Sequence, residues 1–475
     1  MTEGRGPTGR LDVTGGIGGV GAALEDLTAA SARLAETAGD VAEVAAVLLR
    51  ASLHADLLVA AASCPAEVLR AAEGFAQLAG PTGLPADAAA LLALAMSVRS
   101  AVAAYEGGEE AVSTLVESVQ DSAVFALSRQ PVVISAAVVA ADRAGVDVAA
   151  EADRLLFRAP WLADLAGGVE GVVAGPATPL DYEDGLGLVV GAAATRGWLT
   201  EAGAHVAVTP VPGRARTGRL GAPTTIADLV ATQAELDGRD GQPDHVRVVQ
   251  VPQTNGSSAW VVVVPGTQEW SPAAGANPSD LTSDLLLMAR KETLLAAGVE
   301  TALRMAQHQA GRDGLGDPVL LAGHSQGGIV AAALAADPGF RRRQRVTHVV
   351  TSGAPVSRMP VPPEVAVLSL EHRQDAVPRL EGERNADRRT WVTVTRDLRG
   401  SDVQTASASH SVARYRDTAA LADACGSSSV KAWRTGSSAF LAGDAHGMPT
   451  VRDYVVERTL PGVGSARRPD GKIDA

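Results

Sequence analysis

The run Val319-Leu320-Leu321-Ala322-Gly323-His324-Ser325-Gln326-Gly327-Gly328-Ile329-Val330 constrains the fold of this chain more than any other segment. It writes a buried apolar strand, a sharp turn bounded by glycines and the start of a helix. Gly323 and Gly327 leave room for a backbone that side chains would crowd, and the serine between them is lifted clear of the strand. The residues 329–336 continue as a small-residue helix suited to close packing on a sheet, and Asp337-Pro338-Gly339 stops it. A Gly-x-Ser-x-Gly turn in this setting makes Ser325 a candidate nucleophile. With 50 glycines in 475 residues a Gly-Ser turn also arises without chemistry, so the rest of the chain has to supply partners for the serine.

Composition narrows the field. At 475 residues the chain is long enough for two or three domains. Hydrophobic residues at 46% argue for folded domains, and aromatic residues at only 3% require a core built from Ala, Val and Leu. A formal net charge of -13 argues against nucleic acid or an anionic membrane surface as a general partner. The basic cluster Arg341-Arg342-Arg343-Gln344-Arg345 follows the small-residue helix and reads as a helix-end cap. Cys64 and Cys425 form no C-x-x-C pair and have no histidine cluster beside them, so neither a disulfide framework nor a metal site is expected. The opening residues carry no apolar run after their charges, so no cleavable signal peptide is expected. No uncharged apolar stretch reaches the roughly 18 residues of a membrane span, so no transmembrane segment is expected either.

Two textures divide the chain. From about residue 21 to 155, Ala- and Leu-rich segments with a helical period alternate with breakers such as Gly80-Pro81-Thr82-Gly83-Leu84-Pro85. The run 132–141 is ambiguous between helix and strand, with helix preferred. After Pro176, short β-branched runs appear at 205–209, 246–251, 260–264, 319–321, 346–350, 365–370 and 391–395, with a helical stretch at 281–310 between them. Several runs are apolar on both faces, as buried parallel strands are. Alternating strands and helices predict a mostly parallel sheet covered on both sides, with a functional site at the carboxyl ends of its strands.

A nucleophilic serine needs a base, a group that orients the base, and donors for the oxyanion. The run 365–370 leads into Asp375, which leads Asp387 and Asp397 as the acid because it emerges at a strand end. His410 stands in the loop after the last predicted strand, where it can reach over the serine. His446 is its main rival. His372 is too close to Asp375 along the chain to share a triad with it and is left as a pocket residue; His324, next to the nucleophile, points away from it and reads as packing. For the oxyanion, one backbone donor is Gln326 at the start of a helix. The second is Thr267, in the turn Pro265-Gly266-Thr267 after a strand.

The ordered set V-V-V-V-x-G-T, G-H-S-x-G-G, T-S-G-A-P, D-x-V-P and S-H-S-V-x-x-Y, over about residues 245–420, resembles the class 3 lipases and related α/β-hydrolases, including the inositol-deacylase-like group. The resemblance implies Ser325 as nucleophile, Asp375 as acid, His410 as base, and the Gly-Thr strand end as part of the oxyanion hole. Pro265 stands where those lipases often carry arginine, and Gln326 replaces a common leucine, which puts a triglyceride substrate in doubt. In the first half, Tyr105-Glu106-Gly107-Gly108-Glu109 fits Y-x-x-x-[DE] after a helical hairpin and resembles the export signal of actinobacterial type VII secretion substrates, although the Trp-x-Gly turn is missing.

The sequence thus predicts an all-helical bundle or hairpin domain over 1–175, an α/β-hydrolase domain over 176–460 and a flexible tail over 461–475. The expected activity is hydrolysis of a small-molecule or lipid carboxyl ester through Ser325, Asp375 and His410, without cofactor or metal. Thioester hydrolysis or acyl transfer would use the same residues. A reading of another class is a non-catalytic interaction protein whose helical half binds a secretion partner. The expected location is cytoplasmic, or exported without a cleavable signal peptide.

Overall fold

The computed structural model describes residues 11–52, 54–128, 147–160, 162–164, 181–211, 216–217, 223–237, 245–441 and 447–459. The chain divides into two compact units, residues 20–115 and the remainder, 1–19 with 116–475. The larger unit is an α/β-hydrolase domain, and helices make up the other.

The sheet is built from β1 (Leu11–Gly15), β2 (His205–Pro210), β3 (Arg216–Thr217), β4 (His245–Pro252), β5 (Ser258–Val264), β6 (Pro318–His324), β7 (Arg345–Ser352), β8 (Ala366–His372), β9 (Trp391–Arg396) and β10 (Thr450–Thr459). Their order is β1-β9-β8-β7-β6-β5-β4-β10-β2, with β3 also paired to β10. The five strands β5 to β9 run parallel, and the flanking pairs are antiparallel. Every residue of β5 is buried. The two-residue period of the strand sends Trp260, Val262 and Val264 into one core and Ala259, Val261 and Val263 into the other. Helices Leu294–Gln309 and Gln326–Ala336 cover the first face; Ile226–Leu236, Val412–Ala424 and Ser428–Gly436 cover the second. Continuous apolar runs such as 260–264 are what two covered faces demand.

The two compact units do not divide the chain at residue 175. Residues 11–15 leave the helical half and add β1 to the edge of β9, in register from Leu11 opposite Arg396 to Gly15 opposite Val392. Helix Val148–Arg158 also belongs with the sheet-bearing unit, where Asp153 accepts a 2.8 Å hydrogen bond from the Ser407 N–H. The helical stretch predicted over 281–310 is two helices, Leu281–Met288 and Leu294–Gln309, separated where Arg290 takes a positive φ of 52°. β10 was unforeseen and sits inside the sheet between β4 and β2. The predicted helix over 132–141 and the tail over 461–475 lie outside the described residues.

Within residues 20–115, the buried positions of helix Val20–Ser52 are Ala22, Ser31, Ala38 and Ala45. Three of them recur every seven residues, the spacing that keeps one face of a helix against a neighbour. Helix Leu84–Ser128 runs unbroken through Tyr105 and Gly107, so this pattern lies inside a helix rather than after a hairpin. Ala- and Glu-rich flanks outweigh a cost of about 1 kcal/mol per glycine. By length and composition alone, the helical stretch Pro65–Gly107 is apolar enough to span a bilayer: an 18-residue window reaches a mean hydropathy of 1.6, although it is no uncharged run.

The edge strand yields a stability test. Removing residues 1–19 strips β9 of its antiparallel neighbour and exposes the flank of Val392 and Val394. We expect the denaturation midpoint of the sheet-bearing unit to fall by roughly 2–4 kcal/mol equivalent. An unchanged midpoint would show that β1 adds nothing to the sheet.

Candidate active site

β6 ends in the centre of the parallel strands, with β5 on one side and β7 on the other. At its end Ser325 adopts φ 52° and ψ -123°, a left-handed backbone that non-glycine residues seldom take. Its N–H donates to the Ser352 carbonyl at 2.9 Å, and its own carbonyl accepts from Gly328 at 2.9 Å. A Cβ on Gly323 would run into the Gly327 carbonyl carbon, and one on Gly327 into the Val264 carbonyl oxygen. The two glycines are therefore sterically required, as the sequence pattern implied.

His410 caps the short helix Ala406–Ser409, and its ring reaches the serine: Nε2 lies 3.0 Å from Ser325 Oγ. Its Nδ1 lies 2.7 Å from Asp375 Oδ2. Asp375 follows β8 as expected and is fully buried. Its Oδ1 accepts from the Val377 N–H at 2.9 Å, and its Oδ2 also accepts from the Tyr415 hydroxyl at 2.6 Å. Burial alone would raise the Asp375 pKa, but the facing His410 and these donors outweigh it and hold the carboxyl below the ordinary range. Burial opposes a charge on His410 too; the Asp375 carboxylate, aided by Asp237, overcomes it and raises the imidazole pKa. The structure brings Ser325, His410 and Asp375 together in the predicted order.

The other acids and histidines take different places. His372 is buried: its Nδ1 donates to the Ser409 carbonyl at 2.7 Å, Nε2 meets the Thr418 hydroxyl at 2.7 Å, and burial lowers its pKa to about 4. Its ring stacks on Tyr415 with centroids 3.9 Å apart, so both rings support the segment that carries His410. His324 does more than pack. Its Nδ1 lies 2.8 Å from Asp237 Oδ2, and its Nε2 lies 2.9 Å from the His410 carbonyl. Asp397 is engaged by Gln374 and Arg399, away from any histidine. His446 lies outside the described residues. Arg341 donates to the carbonyls of Ala335 and Ala336, the helix-end cap expected of the basic cluster.

Thr267 follows β5, and Gln326 opens the helix after Ser325. Among the described residues neither main-chain N–H has a protein hydrogen-bond partner. Their side chains are held from behind: Thr267 Oγ1 donates to Asp284 Oδ2 at 2.9 Å, and Gln326 Nε2 donates to the Asp280 carbonyl at 2.7 Å. The loop between Gln268 and Asp280, a lid candidate by composition, is pinned at its base. Arg458, fully buried on β10, donates to the Gly275 carbonyl at 2.9 Å and to Asp280 Oδ2 at 2.7 Å. Asp284 Oδ1 is buried with no partner of hydrogen-bonding geometry among the described residues. Burial outweighs the Thr267 hydroxyl and the Gln326 amide and raises the Asp284 pKa to about 7.

Sequence reasoning missed Asp237, Asp284 and Arg458, and gave Tyr415 no role although it stood in a quoted motif. Only Tyr415 carried a local signal, a tyrosine five positions after His410 at the start of a helix.

A parallel sheet covered by helices, with a strained serine turn at the end of a central strand, defines an α/β-hydrolase. Residues 286–432 match the family described as the PGAP1-like alpha/beta domain, a lipase/esterase-like family of α/β-hydrolases. The matched stretch includes Ser325, Asp375 and His410. No curated protein and no solved structure matched the chain. No group of three or more His, Cys, Asp or Glu that could hold a metal occurs among the described residues.

The raised carboxyls have a consequence for stability. A folded-state pKa of about 7 for Asp284, and about 7 for Glu371, means that the folded protein holds protons which the unfolded chain releases above about pH 4. Their contribution is fully present below that pH and is lost as pH rises through 7. Asp284→Asn keeps the shape and removes one titration, so its denaturation midpoint should fall less than that of the wild type between pH 5 and pH 8. Parallel pH curves would mean that Asp284 ionises normally.

Proposed function

We propose that this protein is a serine hydrolase that cleaves carboxyl esters through an acyl-enzyme. The observation that carries the reading is the 3.0 Å approach of His410 Nε2 to Ser325 Oγ while Asp375 holds the opposite ring nitrogen at 2.7 Å. The family match supports a hydrolase, and the unpartnered N–H groups of Thr267 and Gln326 support a place for an oxyanion.

In this reading Asp375 accepts the Nδ1–H of His410, which leaves Nε2 free to take the Ser325 proton as Oγ attacks the acyl carbon. The negative charge on the former carbonyl oxygen is met by the Thr267 and Gln326 N–H groups and by the amino end of helix Gln326–Ala336. His410 then gives its proton to the departing alcohol. Water repeats the sequence on the acyl-enzyme and restores Ser325. The Tyr415 hydroxyl stabilises Asp375 as a carboxylate, the form that keeps the imidazole in the required tautomer.

A fluorophosphonate probe should label the folded protein on Ser325, and Ser325→Ala should abolish labelling; adduct formation surviving that change would refute the mechanism. On short-chain acyl esters Asp375→Asn should lower kcat by about 10⁴. Because His410 acts as a neutral base, kcat/KM should rise with pH through its pKa. The midpoint should lie above the ordinary imidazole value of about 6.5 and move down in Asp375→Asn. A parallel series of acyl thioesters separates ester from thioester preference.

A further inference from the structure

His324 and Asp237 join three parts of the site that come from distant stretches of chain. Asp237, just after helix Ile226–Leu236, accepts the Gly266 N–H on Oδ1 at 2.6 Å and faces His324 Nδ1 with Oδ2 at 2.8 Å. The opposite nitrogen of His324 lies 2.9 Å from the backbone carbonyl of His410. Gly266 precedes the oxyanion residue Thr267, His324 precedes the nucleophile, and His410 is the base. A continuous chain of hydrogen bonds thus runs from the oxyanion turn to the base loop.

The proton count along this chain is constrained. A backbone carbonyl only accepts, so His324 Nε2 carries a hydrogen and donates it. Nδ1 faces a carboxylate oxygen, which accepts as well. The Asp237–His324 contact therefore needs one proton between Nδ1 and Oδ2, while Nε2 donates to the His410 carbonyl. Titratable groups meeting the His324 ring are Asp237, His410 with a centroid separation of 4.7 Å, and Tyr415 at 5.7 Å; Asp375 stands behind the latter two.

We infer that Asp237 and His324 are positioning residues, a part-buried hydrogen-bonded pair that clamps the oxyanion turn at Gly266 to the base loop at His410. The inference rests on the serine-hydrolase reading for its kinetic consequence and on geometry for the pair itself. A histidine serving only to fill space would satisfy its nitrogens locally; this one bonds to Asp237 at a helix end and to the His410 carbonyl, 87 and 86 positions away. If the clamp loosens, the base and the oxyanion donors shift relative to each other, and a displacement near 1 Å costs about 10²-fold in rate.

Asp237→Asn and Asp237→Ala, made in the full chain, separate the clamp from its charge. Asparagine can still accept from Gly266 and donate to Nδ1 of a neutral ring, whereas alanine can do neither. Asp237→Ala should lower kcat by about 10- to 100-fold with little change in KM, and Asp237→Asn should recover most of the loss. Nitrogen-15 spectra of the histidine rings should show His324 with a hydrogen on Nε2 and a hydrogen bond at Nδ1 in the wild type, the latter lost in Asp237→Ala. A His324 Nε2 without a hydrogen in the wild type, a kcat in Asp237→Ala within about twofold of wild type, or a folded Asp237→Asn as impaired as the alanine variant would overturn the inference. A wild-type chain inert to fluorophosphonate and to every ester would strike the serine-hydrolase reading instead, and the nitrogen spectra would still decide the pair.

Discussion

The backbone of Ser325 is the constraint on which the site depends. A residue with a side chain is held at positive φ, at a cost of order 1–3 kcal/mol, and the surrounding structure has to over-determine it. It does so from three directions. The Ser352 carbonyl on β7 takes the Ser325 N–H, the helix from Gln326 grips the Ser325 carbonyl, and the end of β5 presses against Gly327 so closely that no Cβ fits. These contacts come from the parallel core of the sheet, whose strands are apolar on both faces. Burial of the valines in β5, each worth about 1.5–3 kcal/mol, is therefore coupled to the strained turn at the next strand end.

Around that turn, buried carboxyls are handled in two opposite ways. Asp375 is given a tyrosine hydroxyl, a backbone N–H and an imidazole, and these outweigh its burial and keep it ionised. Asp284 receives one hydroxyl firmly and has an oxygen without a partner among the described residues, so burial wins and its pKa rises to about 7. The difference suits their positions. In the proposed cycle, a fixed negative charge beside His410 would favour the imidazolium that forms when Ser325 gives up its proton. The same charge behind Thr267 would oppose an oxyanion, and a carboxyl that protonates near neutrality relieves that opposition.

The strands between residues 205 and 395 were legible because two covered faces demand uninterrupted apolar runs, and Ser325, Asp375 and His410 were legible because each falls at a strand end or in the loop beyond one. β1 was not. Leu-Asp-Val-Thr-Gly alternates and is short, and only the edge of β9, some 380 positions away, makes it a strand. β10 was missed for a similar reason: Arg452, Asp453, Glu457 and Arg458 break its apolar pattern. Two of those charges are buried and paired, Asp453 with Arg247 and Arg458 with Asp280 and Glu201. Asp237 was illegible because its partners lie 29 and 87 positions away, and nothing local marks an aspartate at a helix end as part of a site.

Those misses share a physical origin that also explains how the site is held. Residues to which the proposed chemistry falls sit where a motif can announce them, on turns of fixed geometry. Residues that hold those turns are recruited by proximity in the folded state, from any point along the chain. Arg458 is the extreme case: it reaches from the last described strand into the loop before helix Leu281–Met288, and the Asp280 carbonyl there accepts the side-chain amide of Gln326. A guanidinium with no exposed surface is tolerated because two carboxylates and two carbonyls complete its donor set. The geometry around Gln326 is thus secured by a strand that begins 124 residues later, so the carboxyl-terminal strand is part of the site's scaffold.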